Sequence, residues 1–306
     1  MRFVILGAGA IGGVIAAGLH NAGHRATLIA RGDVLKALTT RGLLLQTPDE
    51  DRVLAVEAVG SPVEADIRPD DVVIVATKSQ DTAPALDALA ACQRDAIIVS
   101  AQNGLANETA ALRRFERVYG VAVWMPARHV EPGVIQSYSA PVHGSLPVGR
   151  FPSGVDDVAE HLAEAFADAG CMSVVSPDIM RLKRAKLLLN LMNVIALVHG
   201  DGDESRRLHA GAVEEALACY AAAGWDVASP EELAALDAAV SPMRPVHGSA
   251  HAGSSALQSV QRGTSLETDF LNGEIALLGR LHGVPTPINA RAQREIGLWL
   301  DRQRRV

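Results

Sequence analysis

Apolar residues follow two rhythms along this chain. In the first part they come as short, β-branched runs: "RFVILG" from residue 2, "RATLIA" from 25, "DVVIVAT" from 71, "AIIVSAQ" from 96 and "RVYGVAVWM" from 117. Segments with helical spacing lie between them, among them "AIGGVIAAGLHNAG", "TAPALDALAACQ" and "NETAALRRF". Short apolar runs bounded by turn residues mark strands buried on both faces. Their alternation with helices predicts a parallel sheet covered by helices on each side. The stretch 133–151, with Gly133, Gly144 and Gly149 among alternating apolar residues, predicts a hairpin closing this part.

From Pro177 onward the helical period takes over. It predicts helices over 178–199, 204–223, 230–239, 254–262, 268–282 and 287–302. Pro177 breaks the chain, and Asp178 is a suitable N-cap for the first of these helices. The expected fold class is α/β then all-α: a parallel-sheet domain over 1–177 and an all-helical domain over 178–306. A chain of 306 residues suits two domains better than one. The active site is expected in the cleft between them, a preferred place for small-molecule sites.

Composition narrows the function classes. At 48% hydrophobic and 21% charged residues, the chain can bury sizeable cores. The formal net charge of −7, with Lys and Arg scattered, argues against a nucleic-acid footprint, which needs a basic stripe. Cys92, Cys171 and Cys219 are dispersed, which suggests buried thiols in a reducing compartment rather than disulfides or zinc. His247 and His251 are four apart, but their glycine- and serine-rich surroundings and the lack of a nearby carboxylate argue against a metal site. The start could pass for a signal peptide, yet strand, glycine turn and helix explain it better. No apolar run elsewhere reaches the roughly 18 residues of a membrane span, so a cytoplasmic protein without a membrane partner is expected. A homodimer is expected if a helix of the C-terminal part carries a large apolar face.

Gly7-Ala8-Gly9-Ala10-Ile11-Gly12 is G-x-G-x-x-G, set directly after a strand and before a helix. That context makes it a Rossmann-type dinucleotide turn, where glycines let a pyrophosphate approach the helix N-terminus. The second strand ends "LIARGD". Arg31 stands where NAD sites usually place an acid, and its guanidinium would pair with the 2′-phosphate of NADP. Asp33 is the competitor for the ribose, and a solvated loop arginine is the plainer alternative. Lys78 and Asn103 follow the strands "DVVIVAT" and "AIIVSAQ", at the sheet edge where ligands bind. Each also fits ordinary turn chemistry, Asn-Gly being a common turn pair.

In "KRAKLLLNLMN", Lys186, Asn190 and Asn193 fall at i, i+4 and i+7, on one face of a predicted helix that is otherwise apolar. A buried polar stripe needs partners, either a structural network or a ligand.

Together, "GAGAIGG", "ATK", "QNGLANE", "VEPGVI", "KLLLN" and "SSALQSVQRG…LETDFLNGEIALLGRLHGVPTP" resemble the ketopantoate reductase family, the 2-dehydropantoate 2-reductases, over essentially the whole chain. The resemblance implies NADPH-dependent reduction of a 2-oxo acid to a 2-hydroxy acid. It makes Lys186 the catalytic lysine, with desolvation as the route to a lowered pKa. It also makes Asn190 a substrate-binding asparagine and Ser255 the holder of the substrate carboxylate. Glu267 becomes a glutamate near both nicotinamide and lysine. Apart from the family, Gly253-Ser254-Ser255 opens a predicted helix and suits an anion.

The departures concern substrate recognition. Val194 stands where the family has its second helix asparagine, and Asn193 lies one residue early. Ala256 replaces a methionine, Ser259 an aspartate, and Ala252 a polar residue. Two other readings are a β-hydroxyacid-type dehydrogenase and a non-catalytic NADP-binding sensor. Arg31 and the Ser255–Glu267 pair speak against the first, and retention of the site residues against the second.

Overall fold

A computed structural model describes residues 1–250 and 255–303. The chain divides into two compact units. One comprises Met1–Gln102, Asn107–Met180 and Pro230–Ala252; the other comprises Asn103–Ala106, Arg181–Ser229 and Gly253–Val306.

The first unit opens with β1 (Arg2–Leu6), α1 (Ala10–Asn21), β2 (Arg25–Ile29) and α2 (Gly32–Arg41). Three short strands come next, β3 (Leu43–Gln46), β4 (Asp51–Leu54) and β5 (Glu57–Val59). After them lie β6 (Val72–Val75), α3 (Ser79–Cys92), β7 (Ile97–Ser100), α4 (Asn107–Leu112) and β8 (Val118–Val121). The last elements of this stretch are β9 (Ala127–Glu131), β10 (Val134–Ser137), β11 (Val148–Arg150) and α5 (Asp157–Asp168).

Seven strands form the main sheet in the order β11-β8-β7-β6-β1-β2-β5, all parallel except β11. Val4, Ile5, Val72, Val73 and Ile74 at its centre are fully buried, because helices cover both faces. Strand order reverses between β1 and β6. The carboxyl ends of these two strands, Leu6 and Val75, are paired neighbours and flank the crevice where open α/β sheets bind ligands.

A second sheet, β4-β3-β10-β9, packs on the far side of α1. The approach is close: a Cβ on Gly13 would lie 2.7 Å from Ile135 of β10, and one on Gly18 would lie 2.2 Å from the Ala169 carbonyl after α5. The hairpin expected over 133–151 is replaced by a different pairing. β10 turns back on β9 through Gly133 and runs parallel to β3, while β11 joins β8 of the main sheet.

The second unit contains most of α6 (Ile179–Asn190), then α7 (Met192–His199) and α8 (Asp203–Ala223). The chain then forms α9 (Pro230–Ala238), which belongs to the first unit. It returns through α10 (Ser255–Gln261), a 3-10 turn at Thr268–Phe270, α11 (Asn272–His282) and α12 (Pro287–Gln303). α8, α11 and α12 pack on one another, and α7 packs on α8 and α12. The single helix expected over 178–199 is assigned as two, interrupted at Leu191, although the backbone there stays helical at φ −60, ψ −26 and the Leu191 amide still donates to the Leu187 carbonyl.

Residues 241–249 are fastened to the second sheet and its neighbours. The Arg244 amide donates to the Tyr138 carbonyl, and its guanidinium bonds Asp49 at 2.7 Å and the Ala140 carbonyl at 3.0 Å. Val246 is wholly buried, and the His247 ring reaches Asp51 at 2.9 Å.

Candidate active site

The dinucleotide turn has the shape its glycines foretell. Gly7 sits at φ +114, and its amide donates to the Ile29 carbonyl at 3.2 Å. That conformation is cheap only for glycine. A Cβ on Gly12 would fall 2.0 Å from the Gly7 carbonyl oxygen, so this residue lets α1 close on the turn. A Cβ on Gly9 would meet nothing within 4 Å. Gly9 is the N-cap of α1, with no side-chain cap and no acid in the first turn. The first amides of α1 are therefore open, positively biased donors facing space, which is what a pyrophosphate requires. Ala8, Ala10 and Ile11 are half-buried around them.

Arg31 is the exposed N-cap residue of α2, and its side chain makes no ion pair or hydrogen bond among the described residues. Asp33 lies in the first turn of the same helix. Lys78 caps α3 at the carboxyl end of β6. The loop before it is held by Gln102, the first residue of "QNGLANE", to which the sequence reading gave no role. Gln102, 5% exposed, donates from Nε2 to the Thr77 carbonyl at 2.8 Å and to Thr82 Oγ1 at 2.7 Å, while accepting from Ser100 Oγ at 3.3 Å. A polar residue ending the apolar run "AIIVSAQ" was the available signal.

The second unit gathers the other candidates. Lys186 and Asn190 share α6 one turn apart, the lysine half-buried and the asparagine 7% exposed. Asn190 Nδ2 is buried without a hydrogen-bond partner among the described residues. A buried donor left in that state costs roughly 1–3 kcal/mol, which a ligand acceptor would recover. Asn193 lies beyond Leu191, half-buried on α7. Val194 beside it is buried at 1% exposure. Lys183, one turn before Lys186, is more deeply buried than Lys186, at 3%; the spacing to Asn190 and the "KLLLN" motif single out Lys186 alone.

Glu267 is half-buried and precedes the 3-10 turn, accepting from the Phe270 amide at 2.9 Å through its carbonyl. Asn103 belongs to this same unit, and the next residue, Gly104, lies against the Phe270 carbonyl. The Asn103 loop and the Glu267 turn are thus neighbours, although 164 residues separate them in the numbering. α10 begins at Ser255, but its side chain and residues 251–254, including Ala252, lie outside the described residues. Ala256 and Ser259 on that helix are buried.

Elsewhere, a cleft of about 240 Å³ opens beside the far end of α1. Its charged groups already satisfy each other or near neighbours: Asp49 with Arg244, Glu50 with Arg52, and Asp168 with His24. Among the described residues no three His, Cys, Asp or Glu side chains converge as metal ligands, and no helix is long and apolar enough to cross a membrane.

Comparison with known proteins agrees with this geometry. The profile of the ketopantoate reductase PanE/ApbA family matches residues 3–153, and that of the PanE/ApbA C-terminal region matches residues 178–297. A 2-dehydropantoate 2-reductase of Pyrococcus horikoshii is 29% identical over 299 residues, covering 94% of each chain. The crystal structure of a PanE/ApbA family ketopantoate reductase from Ralstonia eutropha superposes with a TM-score of 0.83 at 27% identity, covering 99% of this chain and 100% of that one. D-mandelate dehydrogenase, in a ternary structure with NADH and anilino(oxo)acetate, has the same fold: TM-score 0.84, 21% identity, 98% and 99% coverage. The chain belongs to the ketopantoate reductase PanE/ApbA family and is an oxidoreductase of this NAD(P)-dependent group.

Proposed function

We propose that the protein catalyses NADPH-dependent reduction of a 2-oxo acid to the 2-hydroxy acid, with ketopantoate as substrate and pantoate as product. The observation that carries this reading is Asn190: a buried amide whose donor is uncommitted, one turn beyond Lys186 on the same helix. The names of the family and of its curated relatives support the substrate.

NADPH supplies the hydride. Arg31 would take the 2′-phosphate, the amides of Gly9 to Gly12 would take the pyrophosphate, and Lys78 and Asn103 would hold the remainder. Hydride arriving at a ketone carbon builds negative charge on its oxygen. The Lys186 ammonium stabilises that charge and delivers the proton. Asn190 orients the substrate by hydrogen bonding, Ser255 holds its carboxylate, and Asn193 contributes at the pocket wall. Glu267, by the family resemblance, would stand near both nicotinamide and lysine and would keep the ammonium directed at the oxygen. The setting is cytoplasmic.

A second reading, another 2-oxo acid with an apolar tail, is favoured by Val194, a buried apolar residue where the family resemblance expects a substrate-side asparagine. The test is NADPH oxidation against a panel of 2-oxo acids including ketopantoate, with NADH in parallel. Turnover of ketopantoate supports the first reading, and turnover of only another oxo acid supports the second. Tight NADPH binding with no turnover of any would reject both in favour of a sensor.

A further inference from the structure

Side chains from two other helices hold the turn between α6 and α7 at both edges. The His209 ring of α8 bonds the Leu188 carbonyl through Nε2 at 2.8 Å. Asn272, the first residue of α11, donates from Nδ2 to the Leu191 carbonyl at 3.4 Å. Asn190 lies between these two carbonyls in the chain. Asn272 is itself held from behind. Its Nδ2 also donates to Asn289 Oδ1 at 3.1 Å, and Asn289 Nδ2 donates to the Ala212 carbonyl at 3.0 Å and to Glu215 Oε2 at 2.8 Å. Glu215 in turn accepts the Ile288 and Asn289 amides at 2.8 and 3.0 Å, capping the start of α12. Asn272 and Asn289 are both fully buried.

A fully buried amide pair is costly to keep unless it specifies something, since an apolar pair of similar shape would pack as well. What this chain of bonds specifies is the position of one backbone carbonyl, next to Asn190, whose Nδ2 has no partner among the described residues. The geometry points to Asn272, backed by Asn289 and Glu215, as a positioning residue that fixes the helix turn and so aims the Asn190 amide at the substrate. The inference rests on the substrate role proposed for Asn190. Lys186 lies a full turn earlier in the body of α6, so it is less exposed to movement of the turn.

Asn272→Leu removes both donated bonds with little change in volume. Its KM for the 2-oxo acid should rise about tenfold, the range of one lost buried hydrogen bond, while kcat and the Kd for NADPH stay within about threefold. In an Asn190→Ala background the same substitution should leave KM unchanged, because the residue it acts through is gone. Additive effects in the double variant, or a parallel fall in kcat and cofactor affinity, would overturn the proposal. Asn272→Ser serves if the leucine variant does not fold. Hydrogen exchange gives a readout independent of turnover: amides of 188–195 should exchange faster in the variant, with the rest of the second unit unchanged. Unaltered exchange there would also overturn it. A wild type that reduces no 2-oxo acid would instead sink the function proposed above and leave the exchange result to decide the positioning role.

Discussion

Gly104 lies against Phe270: a Cβ on the glycine would be 2.9 Å from the phenylalanine's carbonyl oxygen, and the glycine's φ is +83. Both the space and the backbone conformation exclude any other residue without strain. Gly104→Ala should therefore cost about 1–3 kcal/mol of stability, measured by urea unfolding. It should also raise KM for cofactor or substrate, because it pushes the Asn103 loop from the turn next to Glu267. A variant with native stability and kinetics would show that these two segments do not depend on each other.

Gly9 and Gly12 should behave oppositely. Gly12→Ala places its methyl group into the Gly7 carbonyl and should lose about 1–3 kcal/mol or fail to fold. Gly9→Ala meets no protein atom, so its stability should change by no more than about 0.5 kcal/mol. Its dinucleotide Kd should nevertheless rise about tenfold or more, since the methyl group occupies the approach to the α1 amides. Calorimetry and fluorescence titration of both variants separate the two roles.

Arg31→Ala removes an exposed guanidinium that has no internal task. A charge-assisted bond to a 2′-phosphate is worth roughly 1.5–3 kcal/mol, so the NADPH-over-NADH preference should narrow by about tenfold or more. An unchanged ratio of kcat/KM values would move the nucleotide specificity elsewhere.

Lys186→Ala should lower kcat about a hundredfold or more, the usual scale for a lost general acid, while NADPH affinity stays within a few-fold. Wild-type turnover in the variant would take Lys186 out of the mechanism, and the more buried Lys183 would become the residue to test.

His143 gives a pH signature. Burial lowers its pKa below 6.5, against the opposing effect of its bond to the Ser139 carbonyl. Below pH 6.5 the unfolded chain therefore binds a proton that the folded one resists. Its contribution is fully present above pH 6.5 and is lost as pH falls from there toward the lowered folded value. Unfolding free energies between pH 7.5 and about 5 should decline less in His143→Gln than in the wild type; parallel curves would contradict the assignment.

Much of this architecture was legible because its signals are local. The G-x-G-x-x-G turn is spelled in consecutive residues, and α8 and α12 keep their helical period to within a residue of the expected ends. The second sheet was not legible. β3 is four residues long, and its partner β10 lies ninety residues away, with Leu44 opposite Val134. Nothing near either strand announces that pairing. The Leu191 turn was hidden for a related reason. "KLLLNLMNVIALV" contains no glycine or proline, and the carbonyls at the turn are taken by His209 and Asn272 from distant segments. The i, i+4, i+7 arithmetic runs across this break, where the backbone angles of Leu191 stay helical.

The segment fastened by Arg244 has a practical consequence for dissecting the molecule. The chain passes between its units at Gln102–Asn103, Ala106–Asn107, Met180–Arg181, Ser229–Pro230 and Ala252–Gly253. Neither unit is one continuous piece, although the two family profiles succeed each other simply along the chain. A fragment ending at residue 180 would leave Asp49 and the Tyr138 carbonyl without Arg244, and would uncover the surface that Val246 fills. A chimera that borrows a relative's nucleotide-binding half would have to carry the relative's counterpart of residues 230–252 with it.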